Sequence, residues 1–374
     1  MNIKSENMAK VQIVDLASHY NAIKNEIDEA VMKVLSSGYF VLGPNVKSFE
    51  EELSAYTGAK HVISCANGTD AITLSLMALG IKQGDEVITP SHSFFATSES
   101  IALVGATPVF VDIKEDDFNI DIEKIESLIN KKTKAIIPVH IYGQPCNIDK
   151  IIQIAKKHNL FVVEDCAQAI GAKLNNKCVG TFGDLGTLSF FPTKNLGAFG
   201  DGGAVLTNSD ELAAKLRQLR VHGSSVRYVH DVIGLNSRLD EIQAAILRVQ
   251  LKYLDQWNKK RLEAALYYNE LFEGFEPVVT PVIKPDRKHI FHQYTIKTKK
   301  RDLLSEKLKE RNIESIIYYP IPIHKQKAFS HLTQEFNLPI TEKIAGEILS
   351  LPIYPEITRD IQKYVVNNVK EILG

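Results

Sequence analysis

Cysteine is scarce in this chain. Cys65, Cys146, Cys166 and Cys178 are the only four in 374 residues, and they form no C-x-x-C pair and no Cys/His cluster with metal-ligand spacing. That excludes a disulfide framework and a zinc-finger-like centre, and it fits a reducing compartment. An excess of either charge is also missing, because 44 Lys and Arg face 45 Asp and Glu for a net charge of −1. With a pI near 6.8, no basic surface for nucleic acid is implied. No leader opens the sequence and no apolar run is long enough to span a bilayer, so a cytoplasmic protein without a membrane partner is expected. Eleven histidines include no H-E-x-x-H, and G-x-G-x-x-G between strand and helix is absent. Neither a metal nor a nicotinamide cofactor is therefore expected.

What is present describes a folded chain with a sizeable core. Hydrophobic residues make up 44% and charged ones 24%, with mean hydropathy −0.09, and no repeat or low-complexity linker interrupts them. Apolar runs near 61–65, 86–90, 108–112, 134–139, 160–164, 186–191 and 203–207 alternate with helical patterns. This predicts an α/β protein with a large, mostly parallel, helix-covered sheet. From Leu239 to Phe272 the pattern is helical, and a smaller α+β unit follows. Its expected parts are a strand over Gln293–Lys297, a helix over Asp302–Arg311, a strand over Ile313–Tyr319, a proline-rich loop Pro320–His324 and two terminal helices. The expected division is a flexible segment 1–14, with Met1 to Lys10 as a loose polar end, a large cofactor-binding domain 15–255 and a small domain 256–374.

Three segments concentrate chemistry. Lys194 follows an apolar strand in Ser189-Phe190-Phe191-Pro192-Thr193-Lys194-Asn195-Leu196-Gly197 and precedes a glycine-rich turn. An amine held between rigid elements can form a Schiff base with an aldehyde, although most lysines are solvated surface groups. Asp165 ends the buried run Phe161–Glu164, where open α/β sheets gather ligands, and a carboxylate there can hold a protonated pyridine nitrogen or simply cap the next helix. After the strand His61–Cys65, Asn67-Gly68-Thr69-Asp70 opens a helix whose free N–H groups make an anion site, or in which Asn67 or Thr69 is merely an N-cap.

The ordered motifs N-G-T-D, T-P-S-H-S-F-F, P-V-H-I-Y-G-Q, E-D-C-A-Q, S-F-F-P-T-K-N-L-G, G-D-G-G-A and G-L-N-S-R-L-D-E-I-Q-A-A-I-L run from about Asp15 to the C-terminus. In this the chain resembles the DegT-type nucleotide-sugar aminotransferases, pyridoxal-phosphate enzymes of fold type I, the aspartate-aminotransferase fold. The resemblance implies Lys194 as the Schiff-base lysine, Asp165 as partner of the pyridine nitrogen and Gln168 beside the ring hydroxyl. It implies Gly68, Thr69 and Ser189 as the phosphate cradle, Phe94 as the ring stacked on the pyridine, and Phe95 as core. Asn236 would reach the phosphate of a neighbouring subunit in a homodimer, its bland alternative being a helix N-cap. Arg238 would stand near the substrate or form an ion pair with Asp240 or Glu241. His140 would line the pocket or be a satisfied core histidine.

Glutamate as donor and a nucleoside-diphosphate keto-sugar as acceptor are also implied, the product serving polysaccharide, lipopolysaccharide or glycoside synthesis. The segment Tyr318-Tyr319-Pro320-Ile321-Pro322-Ile323-His324 looks most like relatives that aminate C3, with Tyr318 and His324 toward the substrate; C4-aminating relatives are the alternative. Relatives that dehydrate carry His in place of the lysine, so Lys194 argues against them. Where relatives read H-L-Q-P-A-F, this chain has His324-Lys325-Gln326-Lys327-Ala328-Phe329. A non-enzymatic regulator on the same fold, and a lyase or desulfurase that would use Cys166, are the rivals.

Overall fold

A computed structural model describes residues 10–334 and 336–374. Seven strands form the main sheet: β1 His61–Cys65, β2 Glu86–Pro90, β3 Thr107–Val111, β4 Thr133–Ile136, β5 Phe161–Asp165, β6 Leu185–Ser189 and β7 Gly203–Thr207. Across the sheet they lie in the order β1-β7-β6-β5-β4-β2-β3. Only β7 runs antiparallel to its neighbours.

The strands read as continuous apolar runs because both faces are covered. On one face Val62, Leu188, Ala204 and Leu206 pack against Val46, Phe49, Leu53, Ala244 and Leu247 from the helices Pro44–Thr57 and Glu241–Leu251. On the other, Ile63, Cys65, Val163 and Val205 meet Ala71, Leu74, Ala213 and Leu216 from the helices Gly68–Ala78 and Asp210–Leu219. The antiparallel course of β7 brings the ends of β1 and β6 together, since Gly203 pairs with both Cys65 and Ser189. Only glycine fits at 203, because a Cβ there would come 2.2 Å from the Asn67 carbonyl oxygen.

A second core surrounds β8 (Tyr294–Lys297) and β9 (Ile348–Leu351), an antiparallel pair. Tyr268, Phe291, Leu304 and Val365 fill it, and the helix Leu254–Phe272 links the cores, with Leu254 in the first and Phe272 in the second.

Three expectations need correction. Residues 1–9 lie outside the described residues, but Val11 is 5% exposed and pairs with Ile313, so 11–14 is anchored: an apolar side chain has a core to enter. Ile313–Tyr319 is no regular strand, because its pairing is limited to isolated bridges at Ile313 and Ile316. The C-terminal helices Pro339–Glu347 and Arg359–Leu373 enclose a strand, β9, whose short run Ile348-Leu349-Ser350-Leu351 directly follows the first helix and gives no break in the sequence pattern.

Candidate active site

Gly68, Thr69, Phe94, Asp165, Gln168, Ser189, Lys194 and Tyr318 line one cavity of about 650 Å³ at the carboxyl ends of β1, β5 and β6. A depression of about 630 Å³ lies between three helices elsewhere, but its charges pair with one another, Arg248 with Glu52 and Lys252 with Glu26.

Lys194 sits in a turn whose N–H donates to the Phe191 carbonyl at 2.8 Å. The next residue anchors that turn. Asn195 Nδ2 donates to Asn258 Oδ1 at 2.7 Å and to the Ile290 carbonyl at 3.1 Å, while its Oδ1 lies 3.1 Å from His292 Nδ1. Burial holds His292 neutral by pushing it well below its ordinary value, reinforced by the Lys194 charge. Burial likewise pushes the Lys194 ammonium down to about 8, against the opposing pull of Asp165. Roughly a tenth of the population is then free amine at pH 7, against less than a thousandth for an ordinary lysine, and the free form is the one a nucleophile and proton carrier requires.

Asp165 is 4% exposed. Its Oδ1 accepts from the Ala167 N–H at 3.1 Å and its Oδ2 from Thr97 Oγ1 at 2.8 Å. Gln168 is held at both ends, Oε1 accepting from the Tyr142 N–H at 2.7 Å and Nε2 donating to Tyr319 Oη at 3.0 Å. Phe94, 57% exposed, lies 5.9 Å from the Tyr319 ring centroid. Phe95 turns away to meet Phe329 at 5.5 Å, in keeping with a core role.

The anion cradle follows from sheet register. Asn67 caps the helix Gly68–Ala78, its Oδ1 accepting from the Asp70 N–H at 2.8 Å. Helix geometry leaves the Gly68 and Thr69 N–H groups without intrahelical acceptors, beside the positive end of the dipole. A Cβ on Gly68 would stand 2.7 Å from the Ser189 Cβ, so glycine lets the helix end and the Ser189 hydroxyl share one site.

Asn236, Arg238 and His324 are not on the cavity wall. Asn236 is exposed and is no N-cap, since the helix begins four residues beyond its expected cap, after Asp240. Between Asn236 and Arg238, buried Ser237 faces inward, its Oγ donating to Asp70 Oδ2 at 2.6 Å; alternation in the extended bridge with Val221 turns its neighbours away. Arg238 lines a separate depression with Arg227, Tyr228 and His230. Among the described residues it has no ion pair with Asp240 or Glu241, and Glu241 instead accepts from the Asn45 and Val46 N–H groups. His324 is held at both ring nitrogens, Nδ1 lying 2.7 Å from Ser91 Oγ and Nε2 3.2 Å from Glu342 Oε1.

His140 is a satisfied core residue, with Nε2 3.1 Å from Glu164 Oε2 and Nδ1 accepting from the Cys146 N–H at 3.0 Å. Cys166 is fully buried and burial pushes its thiol well up, which opposes a nucleophilic role. Thr97, Ser93, Tyr319 and His292 also line or support the site and escaped the sequence reading. The i, i+4 spacing of Ser93 and Thr97 at the start of a helix was the one available signal.

Residues 21–370 match the DegT/DnrJ/EryC1/StrS aminotransferase family. The chain is 52% identical to a "pleiotropic regulatory protein" of Geobacillus stearothermophilus, with 96% of this chain and 98% of the relative covered. It is 47% identical to a UDP-N-acetyl-3-dehydro-alpha-D-glucosamine 3-aminotransferase of Acidithiobacillus ferrooxidans, covering 94% of each. Among solved structures it is similar to Streptomyces venezuelae DesV in complex with a ketimine intermediate, at 41% identity and TM-score 0.95, covering 97% of this chain and 98% of that one. NtdA from Bacillus subtilis with bound cofactor PMP aligns at 34% identity and TM-score 0.90, over 99% of this chain and 87% of that one. With its fold and nearly its whole length in agreement, this chain belongs to the DegT/DnrJ/EryC1/StrS aminotransferase family of pyridoxal-phosphate enzymes.

Proposed function

We propose that this protein transfers an amino group from L-glutamate to the C3 keto group of a nucleotide-linked sugar, yielding an amino-sugar for polysaccharide or glycoside synthesis. The observation that carries the reading is the Lys194 amine, lowered to about 8 and facing Asp165 across a cavity with an anion cradle at its end. The cavity fits pyridoxal phosphate: the Gly68–Ser189 approach leaves room where a Cβ would intrude, and a buried carboxylate and an amine, Asp165 and Lys194, line the same cavity.

In this reading Gly68, Thr69 and Ser189 hold the phosphate, Phe94 lies against the ring face, Gln168 stands beside the ring hydroxyl, and Asp165 meets the ring nitrogen. The bound cofactor carries the amino group and takes up the electron pair released from the donor carbon. Lys194 Nζ takes the proton from the donor α-carbon and returns it on the acceptor side. Tyr318 faces the substrate. C3 as the site of amination rests on relatives named for acting on 3-keto sugars, the A. ferrooxidans enzyme among them. The regulatory name of the G. stearothermophilus relative does not displace this reading, because a regulator has no need of a lowered, cavity-facing lysine.

A homodimer with shared sites belongs to the same proposal, as does the division into domains 15–255 and 256–374. The cavity wall carries Asp70, Asp165 and Asp201 against Lys194 alone, a poor match for a diphosphate and a phosphate. Arg238 of a second copy would add a cation to that wall and Asn236 an uncharged hydrogen-bond donor. Exposed Tyr39, Phe40, Val41 and Ile233 supply apolar surface for the contact. Subunit exchange tests the sharing: mixing Lys194→Ala with a chain weakened at Asn236 should restore activity, and no recovery would place Asn236 in its own chain's service.

The substrate test is turnover with glutamate across UDP- and dTDP-linked 3-keto and 4-keto sugars, with the new amine located by NMR. A C3 amine is expected. Amination only at C4, or none with any acceptor, would overturn the reading.

A further inference from the structure

We propose that the helix Ala96–Leu103 is a brace that sets the distance between the two ends of the site, and that Thr97 is a positioning residue acting through Asp165. This rests on the reading of Asp165 as partner of the ring nitrogen.

The hydrogen-bond directions are fixed by counting protons. Thr97 Oγ1 has one hydrogen and gives it to Asp165 Oδ2 at 2.8 Å. Its contact with Ser93 Oγ, also 2.8 Å, must then be one in which Ser93 donates. The relay Ser93 to Thr97 to Asp165 is buried, with Ser93 3% and Thr97 1% exposed, so water does not compete for it. Thr97 and the Ala167 N–H engage different oxygens of the carboxylate, which fixes the plane of the group as well as its position.

The same helix holds the opposite end. Three residues on and on the same face, Ser100 Oγ donates to the Thr69 carbonyl at 3.1 Å, tying down the first turn of the anion cradle. At its start the Thr97 N–H donates to the Phe94 carbonyl at 3.2 Å, which sets the turn that presents Phe94. One element of eight residues therefore connects the nitrogen end, the phosphate end and the ring face.

The test uses the intact holoenzyme with Thr97→Val, Thr97→Ser and Asp165→Asn. It reads the single-turnover rate with glutamate, KM for glutamate, the absorption maximum of the bound cofactor, and the dissociation constant of pyridoxal phosphate from the apoprotein. Loss of a hydrogen bond to a charged group should slow Thr97→Val by roughly tenfold to a hundredfold. Its absorption maximum should move in the same direction as that of Asp165→Asn, its cofactor affinity should fall, and KM for glutamate should stay within about twofold. Thr97→Ser, which keeps the donor, should recover most of the rate and the spectrum. Wild-type rate and spectrum in Thr97→Val, alongside a crippled Asp165→Asn, would overturn the brace and leave the site reading intact. A wild-type Asp165→Asn would overturn that reading instead. If Thr97→Val does not fold, Ser93→Ala decides. It should be about threefold slower with a displaced absorption maximum, and an unmoved spectrum would overturn the relay.

Discussion

Glu164 and Asp165 stand side by side at the end of β5, one on each face of the sheet. Glu164, fully buried, accepts from the Gly180, Phe182 and Gly183 N–H groups at 2.8, 2.7 and 2.8 Å, and lies 3.1 Å from His140 Nε2. Three of the four contacts of that carboxylate hold the loop before β6, and the fourth goes to His140. Asp165, pointing the opposite way, accepts from Thr97 and Ala167 and borders the cavity with capacity left for a ligand. Strand alternation thus turns one carboxylate into a structural anchor and leaves the other on the cavity wall, where the proposed function needs it. What separates them is how far the protein itself satisfies each one.

The comparison is sharpened first at the residue Asp165 faces. Lys194→Ala should lower steady-state turnover by at least about ten-thousandfold, since it removes both nucleophile and proton carrier. Asp165→Asn should slow the glutamate half-reaction by about a hundredfold, near 3 kcal/mol, while its urea midpoint stays close to wild type. A near wild-type half-reaction would show that another acid holds the ring nitrogen.

The pH dependence of cofactor capture follows from the depressed Lys194. Below its value of about 8 the amine is protonated and cannot attack the aldehyde, and above it the free base dominates. Stopped-flow binding of pyridoxal phosphate to apoprotein should therefore quicken about tenfold per pH unit up to 8 and then level off. A rate still climbing at pH 10 would mean an ordinary, solvated lysine.

Glu164→Gln should invert the Asp165 result. An amide places its own N–H groups against backbone donors, so urea unfolding should show a loss of about 3 kcal/mol. The folded enzyme should keep its half-reaction rate within about threefold. A stable but inactive variant would erase the distinction between the two carboxylates.

Much of this was legible because strands and their ends are local signals. The run Phe161–Glu164 gives β5, and alternation along it places Asp165 opposite Glu164. Lys194 and Gly68 were legible for the same reason, each lying in a turn directly attached to a strand. Other features depend on distant chain segments. Thr97 matters only because β2 and β5 bring two loops together, and His292 reaches the Lys194 turn from nearly a hundred residues away. Ile313–Tyr319 has the composition of a strand but lacks a continuous partner, so pairing and not propensity decides its state. The family resemblance set His324 toward the substrate, and the contacts of its ring nitrogens with Ser91 and Glu342 come from segments distant in the chain that the sequence around it does not reveal.

Borohydride reduction of the wild-type holoenzyme, followed by proteolysis and mass spectrometry of the cofactor-labelled peptide, tests whether Lys194 is the residue that binds the cofactor. A single labelled peptide carrying pyridoxyl phosphate on Lys194 is expected. Label on any other lysine, or a holoenzyme that reduction leaves unlabelled, would contradict it.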